Sequence, residues 1–131
     1  MCLFCKIIAG EIPGTKVYED DEILAILDIA QTTKGHTLVM PKKHYENMLE
    51  MPQEEFSRLM AKAQELSRKI VASLDANGMN LLINTKEAAG QTIPHIHVHL
   101  IPRYDENDSI QIAFSENQYD LAEIAAQINK N

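Results

Sequence analysis

Three of the chain's five histidines stand at alternate positions in one short stretch, GQTIPHIHVHLIPR, which covers residues 90–103. His95, His97 and His99 are each two residues apart, and alternate side chains of a β-strand lie on the same face. The residues between them are aliphatic and predict the buried face. The opposite face of the predicted strand is therefore a row of imidazoles.

Three interpretations of this row compete. It could be a solvated strand face, but three histidines in register make that the least favoured, since imidazole so often serves as ligand or catalyst. Two histidines two residues apart could share a zinc ion, which in a catalytic site needs a third ligand and a water. Alternatively, one neutral imidazole attacks phosphorus while its neighbours position it and bind the anion.

The residues directly before the triad favour attack on phosphorus. Gly90 allows close approach of a backbone, and Gln91 and Thr92 supply uncharged hydrogen-bond donors. Such donors suit the oxygens of a transferring phosphoryl group. Their placement immediately before the histidines predicts a phosphate-binding loop.

The two cysteines, Cys2 and Cys5, form a second group with possible chemistry. A disulfide between such near neighbours would close a very small loop and stabilise little. Free thiols, a redox pair or half of a metal site are the alternatives in a reducing compartment. The redox pair ranks lowest because no strand–helix redox fold follows it.

The composition indicates one globular domain that spans residues 1–131, with a core of about 3–104 and a tail and helix over 105–131. There are 19 acidic and 12 basic residues, for a net charge of −7. This charge argues against a surface for nucleic acid or anionic membrane, but not against one bound nucleotide. Because no long apolar run or signal-peptide pattern is present, we expect a cytoplasmic protein.

The elements that must position these residues follow from periodicity. A short helix closed by Gly10 is predicted by FCKIIAG. A hairpin is predicted by TKVYED and EILAILD, and a third strand by GHTLVMP. Apolar residues then follow helical spacing from Pro52 to Leu74, and Asn77-Gly78 suits the end of that helix. Residues 78–84 and 94–102 predict two more strands, and Leu121 opens a shorter helix. This order predicts an α+β fold with a mostly antiparallel sheet.

The motif HIHVH, followed by LIPR and preceded by GQT, resembles the histidine triad (HIT) superfamily. The likeness extends from residue 3 to Arg103, and it is similar to the nucleotide phosphoramidase branch in its bacterial form. The resemblance implies a HIT-like fold, with a five-stranded mostly antiparallel sheet, one long central helix and a short C-terminal helix. It also implies a homodimer whose sheets join across a two-fold axis.

The resemblance implies four catalytic residues. His97 would be the nucleophile that attacks the α-phosphorus of a purine nucleoside 5′-phosphate derivative, and His99 would contact the α-phosphate. His36 and Thr92 would complete the catalytic set. An amine would leave, and water would release the nucleoside monophosphate from a nucleotidyl-histidine, with no catalytic metal required.

The resemblance also implies a nucleotide-binding set. Asn84, Gln91 and Thr92 match the phosphate-side positions, and Asp28 matches the acidic residue that binds the ribose hydroxyls. The apolar base pocket is matched by Phe4, Ile7, Ile26, Ile29 and Leu38. Without the resemblance, Asp28 would equally be a turn former and the apolar residues would simply be core.

Some bacterial members of the superfamily carry the same cysteine pair in a structural zinc site. The matching residues are Cys2, Cys5, His44 and His95, and two cysteines with two histidines are a common ligand set. The zinc would tie the amino-terminal helix to the sheet. The alternative is two buried thiols and a surface histidine.

The chain departs from the family pattern in two places. It has no tryptophan, which some relatives carry near the C-terminus, and Thr92 stands where serine is frequent. Three functions remain open from the sequence. They are a purine nucleoside phosphoramidase, a dinucleoside polyphosphate hydrolase or nucleotidyl transferase, and a nucleotide- or partner-binding module with incidental catalysis.

Overall fold

The computed structural model describes residues 2–131 as five strands, three α-helices and one 3₁₀ turn. In chain order the elements are α1 Leu3–Ile8, β1 Lys16–Glu19, β2 Ile23–Leu27, β3 Thr37–Pro41, α2 Gln53–Leu74, β4 Gly78–Leu82, the 3₁₀ turn Glu87–Ala89, β5 Val98–Arg103 and α3 Leu121–Asn129. The strands form one sheet in the order β1-β2-β3-β5-β4, and every neighbouring pair is antiparallel. The predicted α+β architecture is confirmed.

The two faces of the sheet carry separate apolar clusters. One cluster packs α2, through Leu59, Ala63, Leu66 and Ile70, on the strand residues Ala25, Val39, Val98 and Leu100. The other packs Phe4 of α1 against Leu24, Ile26, Leu38 and Met40. His99 pairs with Leu38 across β3 and β5, and paired residues share a face. The histidine therefore lies on the α1 side of the sheet.

The last strand of the structure is shorter than predicted. The sequence predicted a strand over 94–102, but β5 begins at Val98. Before it, the Ile96 amide donates to the carbonyl of Tyr45, and the His95 amide turns back to the carbonyl of Ile93. These two amides therefore do not form hydrogen bonds with a neighbouring strand of the sheet, and the segment before β5 bends. Among the triad residues only His99 lies within a strand.

Two other boundaries differ from the prediction. Helix α2 ends at Leu74, because Asp75 adopts a left-handed conformation with φ of 55° before the predicted Asn77-Gly78 stop. Strand β4 ends at Leu82, two residues earlier than predicted. Residues 83–97 thus form a long connection that carries the phosphate-side loop.

The carboxyl-terminal segment packs little against the rest of the chain. Residues 111–120 are all exposed and have no regular structure, and α3 has no buried side chain. No helix within residues 2–131 combines the length and apolar character that crossing a bilayer would need.

Candidate functional site

The three triad histidines lie between α1 and the sheet, and they are not a solvated face. His95 is 0% exposed and His97 is 8% exposed. The ring of Phe4 meets His97 edge-on, with centroids 4.9 Å apart. The interpretation of a solvent-facing histidine row is therefore wrong.

His97 presents a free ring nitrogen to the site. Its Nδ1 lies 2.8 Å from the carbonyl oxygen of His95, and a carbonyl oxygen can only accept, so Nδ1 carries the proton. Nε2 then holds an available lone pair. Burial lowers the pKa of His97 below its ordinary value, an effect that the hydrogen bond to His95 partly opposes. His97 is consequently neutral near pH 7, as a nucleophilic imidazole must be.

A relay of hydrogen bonds through His36 places the ring proton of His99 on Nε2, whereas the ring proton of His97 is on Nδ1. The Thr32 amide donates to Nδ1 of His36 over 3.3 Å, so Nε2 of His36 carries the proton. That nitrogen lies 2.9 Å from Nδ1 of His99 and donates to it. The proton of neutral His99 is then on Nε2. His99 thus acts as a hydrogen-bond donor, whereas His97 acts as an acceptor.

Burial favours the neutral form of both imidazoles in this relay. It lowers the pKa of His99 to about 4, with the neighbouring His97 and His36 reinforcing the shift. Burial also lowers the pKa of His36, against the opposing effect of the Asp28 carboxylate. The Asp28 Oδ2 atom lies 3.7 Å from His36 Nε2. The relay therefore stays uncharged near pH 7.

A cavity of about 430 Å³ opens between α1, the end of β2 and the triad. Its walls include ten of the residues that the sequence analysis singled out: Phe4, Ile7, Asp28, Ile29, Leu38, Asn84, Gly90, Thr92, His97 and His99. The remaining wall residues were not anticipated, namely Leu3, Ile12, Pro13, Leu27 and Ile93. Leu3 lies one residue before the helix that the sequence predicted over 4–10, and the structure begins α1 there. The cavity joins an apolar end to a polar end at the histidines.

Three residues that the sequence analysis assigned to the site do not line this cavity. A fourth, Ile29, lines it from an unexpected position. Ile26 is buried in the core beneath it, and His36 lies behind His99. Ile29 does line the cavity, but its side chain is otherwise fully exposed on a turn. Gln91 faces away and lines a neighbouring cavity. The apolar wall is thus formed chiefly by α1 rather than by the strands.

The carboxamide of Gln91 holds the loop before the triad. Its Nε2 donates to the carbonyls of Glu46 at 2.6 Å and Ile93 at 3.0 Å. Its Oε1 accepts from the Lys86 amide at 2.8 Å. These bonds use both amide protons and the oxygen. In this arrangement Gln91 positions Thr92 and Ile93 rather than presenting its side chain to a phosphate.

Cys2, Cys5, His44 and His95 bring four ligand atoms together beside the triad. The sulfur-to-nitrogen distances are 3.3–3.6 Å, and the two Nδ1 atoms are 3.1 Å apart. Zinc–ligand bonds of about 2.0–2.3 Å in a tetrahedron require edges of about 3.3–3.8 Å. The sulfur-to-nitrogen distances lie within this range and the distance between the two Nδ1 atoms is about 0.2 Å below it, so the cluster has nearly the size that a Cys₂His₂ zinc ion requires.

The proton arrangement of His95 also suits a metal. Its Nε2 lies 2.8 Å from the carbonyl oxygen of Pro41, which can only accept, so the proton is on Nε2. Nδ1, the atom that faces the sulfurs, then has its lone pair free. A backbone carbonyl that fixes the ring of a ligand histidine is a usual second partner in metal sites.

Comparison with known proteins agrees with this geometry. Residues 9–106 match the family model described as the HIT domain. The Bacillus subtilis protein named Protein hit is 50% identical over 82% of this chain and 74% of its own length. A protein of Streptococcus mutans with a known crystal structure is 48% identical and superposes with a TM-score of 0.93, over 98% of this chain and 83% of its own.

Three further relatives have names that describe a ligand or an activity. The adenylylsulfatase HINT3 of Arabidopsis thaliana is 42% identical over 92% of this chain, which spans 60% of that protein. A histidine triad nucleotide-binding protein from Candida albicans is 30% identical, with a TM-score of 0.85 over 99% of this chain and 94% of its own. A zinc-bound histidine triad family protein from Mycobacterium smegmatis is 36% identical, with a TM-score of 0.78 over 98% of this chain and 96% of its own. From the match over residues 9–106, together with these identities, we conclude that the chain belongs to the HIT domain family.

Proposed function

We propose that this protein hydrolyses purine nucleoside 5′-phosphoramidates through a nucleotidyl intermediate on His97. The observation that carries the proposal is the opposite proton arrangement of two adjacent imidazoles at the polar end of an apolar cavity. One imidazole can attack phosphorus while the other donates to a phosphate oxygen. The names of the nucleotide-binding and adenylylsulfatase relatives support a nucleotide substrate.

The cavity divides into parts that suit a nucleotide. Phe4, Ile7 and Leu38 form apolar walls for the base. Asp28 also lines the cavity, and its carboxylate, which accepts from the Ala30 amide at 2.8 Å, can accept from the ribose hydroxyls as well. The α-phosphate then reaches the histidines, with Asn84 and Thr92 as further polar neighbours.

The proposed reaction has two displacements at phosphorus. In the first, Nε2 of His97 forms a bond to the α-phosphorus while the P–N bond of the substrate breaks. The leaving nitrogen keeps the electron pair and takes a proton from water. In the second, the hydroxyl of that water bonds to phosphorus and His97 leaves, which releases the nucleoside monophosphate. His99 Nε2–H stabilises the negative charge on the phosphate oxygens throughout.

Two alternatives use the same residues differently. A dinucleoside polyphosphate hydrolase or a nucleotidyl transferase would keep the His97 nucleophile and change the leaving group or the acceptor. The adenylylsulfatase activity named for the Arabidopsis relative belongs with this first alternative, because its leaving group is an anion. A nucleotide- or partner-binding module would use the cavity without needing turnover.

The test is release of AMP from adenosine 5′-phosphoramidate by the wild type and by His97→Ala. We expect the variant to lose turnover by at least about 10³-fold, while calorimetry shows that it still binds AMP. His97→Asn, which retains more of the side-chain volume, controls for collapse of the cavity. Turnover that survives in both variants would contradict nucleophilic catalysis by His97, and no turnover by the wild type on any nucleotide would favour the binding module.

We further propose that Cys2, Cys5, His44 and His95 hold a structural zinc ion. The tetrahedral edges of the cluster and the free Nδ1 of His95 support it, as does the zinc-bound relative from Mycobacterium smegmatis. The ion would fix α1, and with it Phe4, over the triad. Turnover that survives a chelator would separate this structural role from a catalytic one. Thiolate ligands also agree with the proposed cytoplasmic location, where thiols stay reduced.

We also propose that the functional unit is a homodimer. Leu81 and Leu82 are more than 40% exposed on β4, which is an edge strand with one side unpaired in the sheet of residues 2–131. Phe114 and Leu121 in the carboxyl-terminal segment are exposed as well. A second copy that covers these residues would bury an apolar surface that a single chain leaves to water. Light scattering of the wild type and of Leu81→Glu tests the assembly.

A further inference from the structure

The turn between β2 and β3, residues 28–36, is braced by the side chain of Gln31. Its Nε2 donates to the carbonyls of Asp28 at 2.5 Å and His36 at 2.8 Å, and its Oε1 accepts from the Gly35 amide at 2.7 Å. Both amide protons and the oxygen are thus used within the turn. Asp28 lines the nucleotide cavity and His36 belongs to the relay, whereas Gln31 does neither. Gln31 can therefore affect the reaction only through these neighbours.

Two backbone groups, one on each side of Gln31, compete for the ring of His36. Because Nε2 of this ring is bonded to His99, Nδ1 is the atom that a group of the turn can reach. The Thr32 amide donates to Nδ1 over 3.3 Å. Burial lowers the pKa of His36, but a backbone group of Ala30 acts in the opposite direction. A group with that effect accepts a hydrogen bond from the imidazole, so it is the Ala30 carbonyl.

The group that meets Nδ1 of His36 determines both ring protons of the relay. When the Thr32 amide donates to Nδ1, the proton of His36 is on Nε2 and His99 keeps its own proton on Nε2, facing the cavity. If the Ala30 carbonyl accepted from Nδ1 instead, Nε2 of His36 would accept from Nδ1–H of His99. His99 would then present a lone pair to the cavity. A lone pair repels the phosphate oxygens that an N–H group stabilises.

We propose that Gln31 is a positioning residue that keeps the Thr32 amide on Nδ1 of His36. Through the relay, Gln31 thereby makes His99 a hydrogen-bond donor to the substrate phosphate. Its three hydrogen bonds fix the peptide groups on both sides of it, so these groups cannot rotate to exchange the amide for the carbonyl. The role in the reaction rests on the proposed function, but the ring protons can be measured without a substrate.

The test locates the ring protons of His36 and His99 by nitrogen NMR of the ligand-free protein near neutral pH. In the wild type we expect both protons on Nε2. Gln31→Ala removes an exposed side chain and leaves the core intact. It exchanges one ordinary hydrogen bond to Nδ1 for another, each corresponding to about fivefold in population, so the ratio of the two arrangements should change from about 5:1 to about 1:5.

The same substitution should slow the reaction. Only the fraction of molecules in which His99 is a donor can use the substrate, so kcat/KM for AMP release from adenosine 5′-phosphoramidate should fall about fivefold. Gln31→Glu is a second variant, because its carboxylate can accept from the Gly35 amide but cannot donate to either carbonyl. It should resemble Gln31→Ala in both measurements.

Thr33→Val is the matched control. The Thr33 hydroxyl donates to the Pro102 carbonyl at 2.6 Å, which attaches the same turn to β5 without a contact to the relay. The substitution should lower the midpoint of urea unfolding, because it leaves that carbonyl without its partner. It should leave the ring protons and kcat/KM unchanged.

The outcomes separate this assignment from the proposed function. Unchanged ring protons in Gln31→Ala or Gln31→Glu would overturn the assignment, and so would an equal change in Thr33→Val, which would indicate general loosening of the turn. Altered ring protons with an unaltered kcat/KM would overturn the role of Gln31 in the reaction. If the wild type released no AMP from any nucleotide, the proposed function would fail, and the ring protons would still decide whether Gln31 sets the relay.

Discussion

Acidification should destabilise the fold through His99, and His99→Asn should remove that part of the pH dependence. Burial, reinforced by His97 and His36, lowers the pKa of His99 to about 4, whereas an unfolded chain titrates near 6.5. Between these values the unfolded chain binds a proton that the folded chain excludes. The free energy of unfolding therefore falls as the pH drops through this window, and the contribution is absent above about pH 7.

The size of the effect follows from the two pKa values. A difference of about 2.5 pKa units corresponds to about 3 kcal/mol when the window has been crossed fully. At pH 5 the same linkage gives about 2 kcal/mol, and at pH 7.5 it gives almost nothing. Asparagine cannot titrate, so His99→Asn should lose about 2 kcal/mol less than the wild type between pH 7.5 and pH 5. The variant also loses the hydrogen bond from His36, which lowers its stability at both pH values.

The assay is equilibrium unfolding in urea at pH 7.5 and pH 5, with wild type and variant in the same chelating buffer. Loss of metal then affects both proteins equally, and the difference between the two pH-induced changes isolates His99. Equal losses in wild type and variant would refute the reasoning. They would mean that His99 accepts a proton in the folded state as readily as in the unfolded state.

Three more predictions concern the metal cluster, a turn and the loop before the triad. Cys5→Ser should remove most of the bound zinc, measured by atomic absorption, and lower the unfolding midpoint by about 10 °C, while AMP release falls less; equal losses of stability and turnover would indicate a catalytic metal. Gly35→Ala should destabilise by about 2 kcal/mol in urea unfolding, because φ is +94° and the new methyl would lie 2.5 Å from Leu74; no loss would show that the turn relaxes freely. Gln91→Ala should lower kcat at least about tenfold and leave the affinity for AMP nearly unchanged, because the side chain braces the loop; a matching loss of AMP affinity would show instead that Gln91 contacts the phosphate.

Local patterns were sufficient to predict most of the architecture. The apolar spacing from Phe56 to Leu74 identified α2, since a helix that covers a sheet must bury one continuous stripe. The alternation of histidines with aliphatic residues also predicted correctly which side chains of β5 face the core under α2. Val98 and Leu100 lie under α2, while His99 lies on the α1 face of the sheet. These features depend on residues that are close in sequence, so the spacing of apolar residues is sufficient to predict them.

Features that depend on distant contacts could not be predicted in the same way. The bend before β5 exists because the Ile96 amide bonds to Tyr45, which is 51 positions earlier in the chain. The bracing role of Gln91 depends on the carbonyl of Glu46, and a backbone carbonyl has no sequence signature. The neighbouring cavity that Gln91 lines likewise forms only where residues 46–50 meet residues 86–94. Resemblance to the family placed Gln91 near the phosphate, but only the fold shows which way its side chain points.

The cluster of Cys2, Cys5, His44 and His95 joins the start of the chain to a residue 93 positions away. A bound ion would thus act as a reversible cross-link around a very large loop. Closing a loop of this size restricts the unfolded chain by about 4–5 kcal/mol, which is comparable to a long-range disulfide. Helix α1 has only six residues and would otherwise be among the first elements to detach. Metal supply could then control, through Phe4, whether one wall of the cavity is present at all.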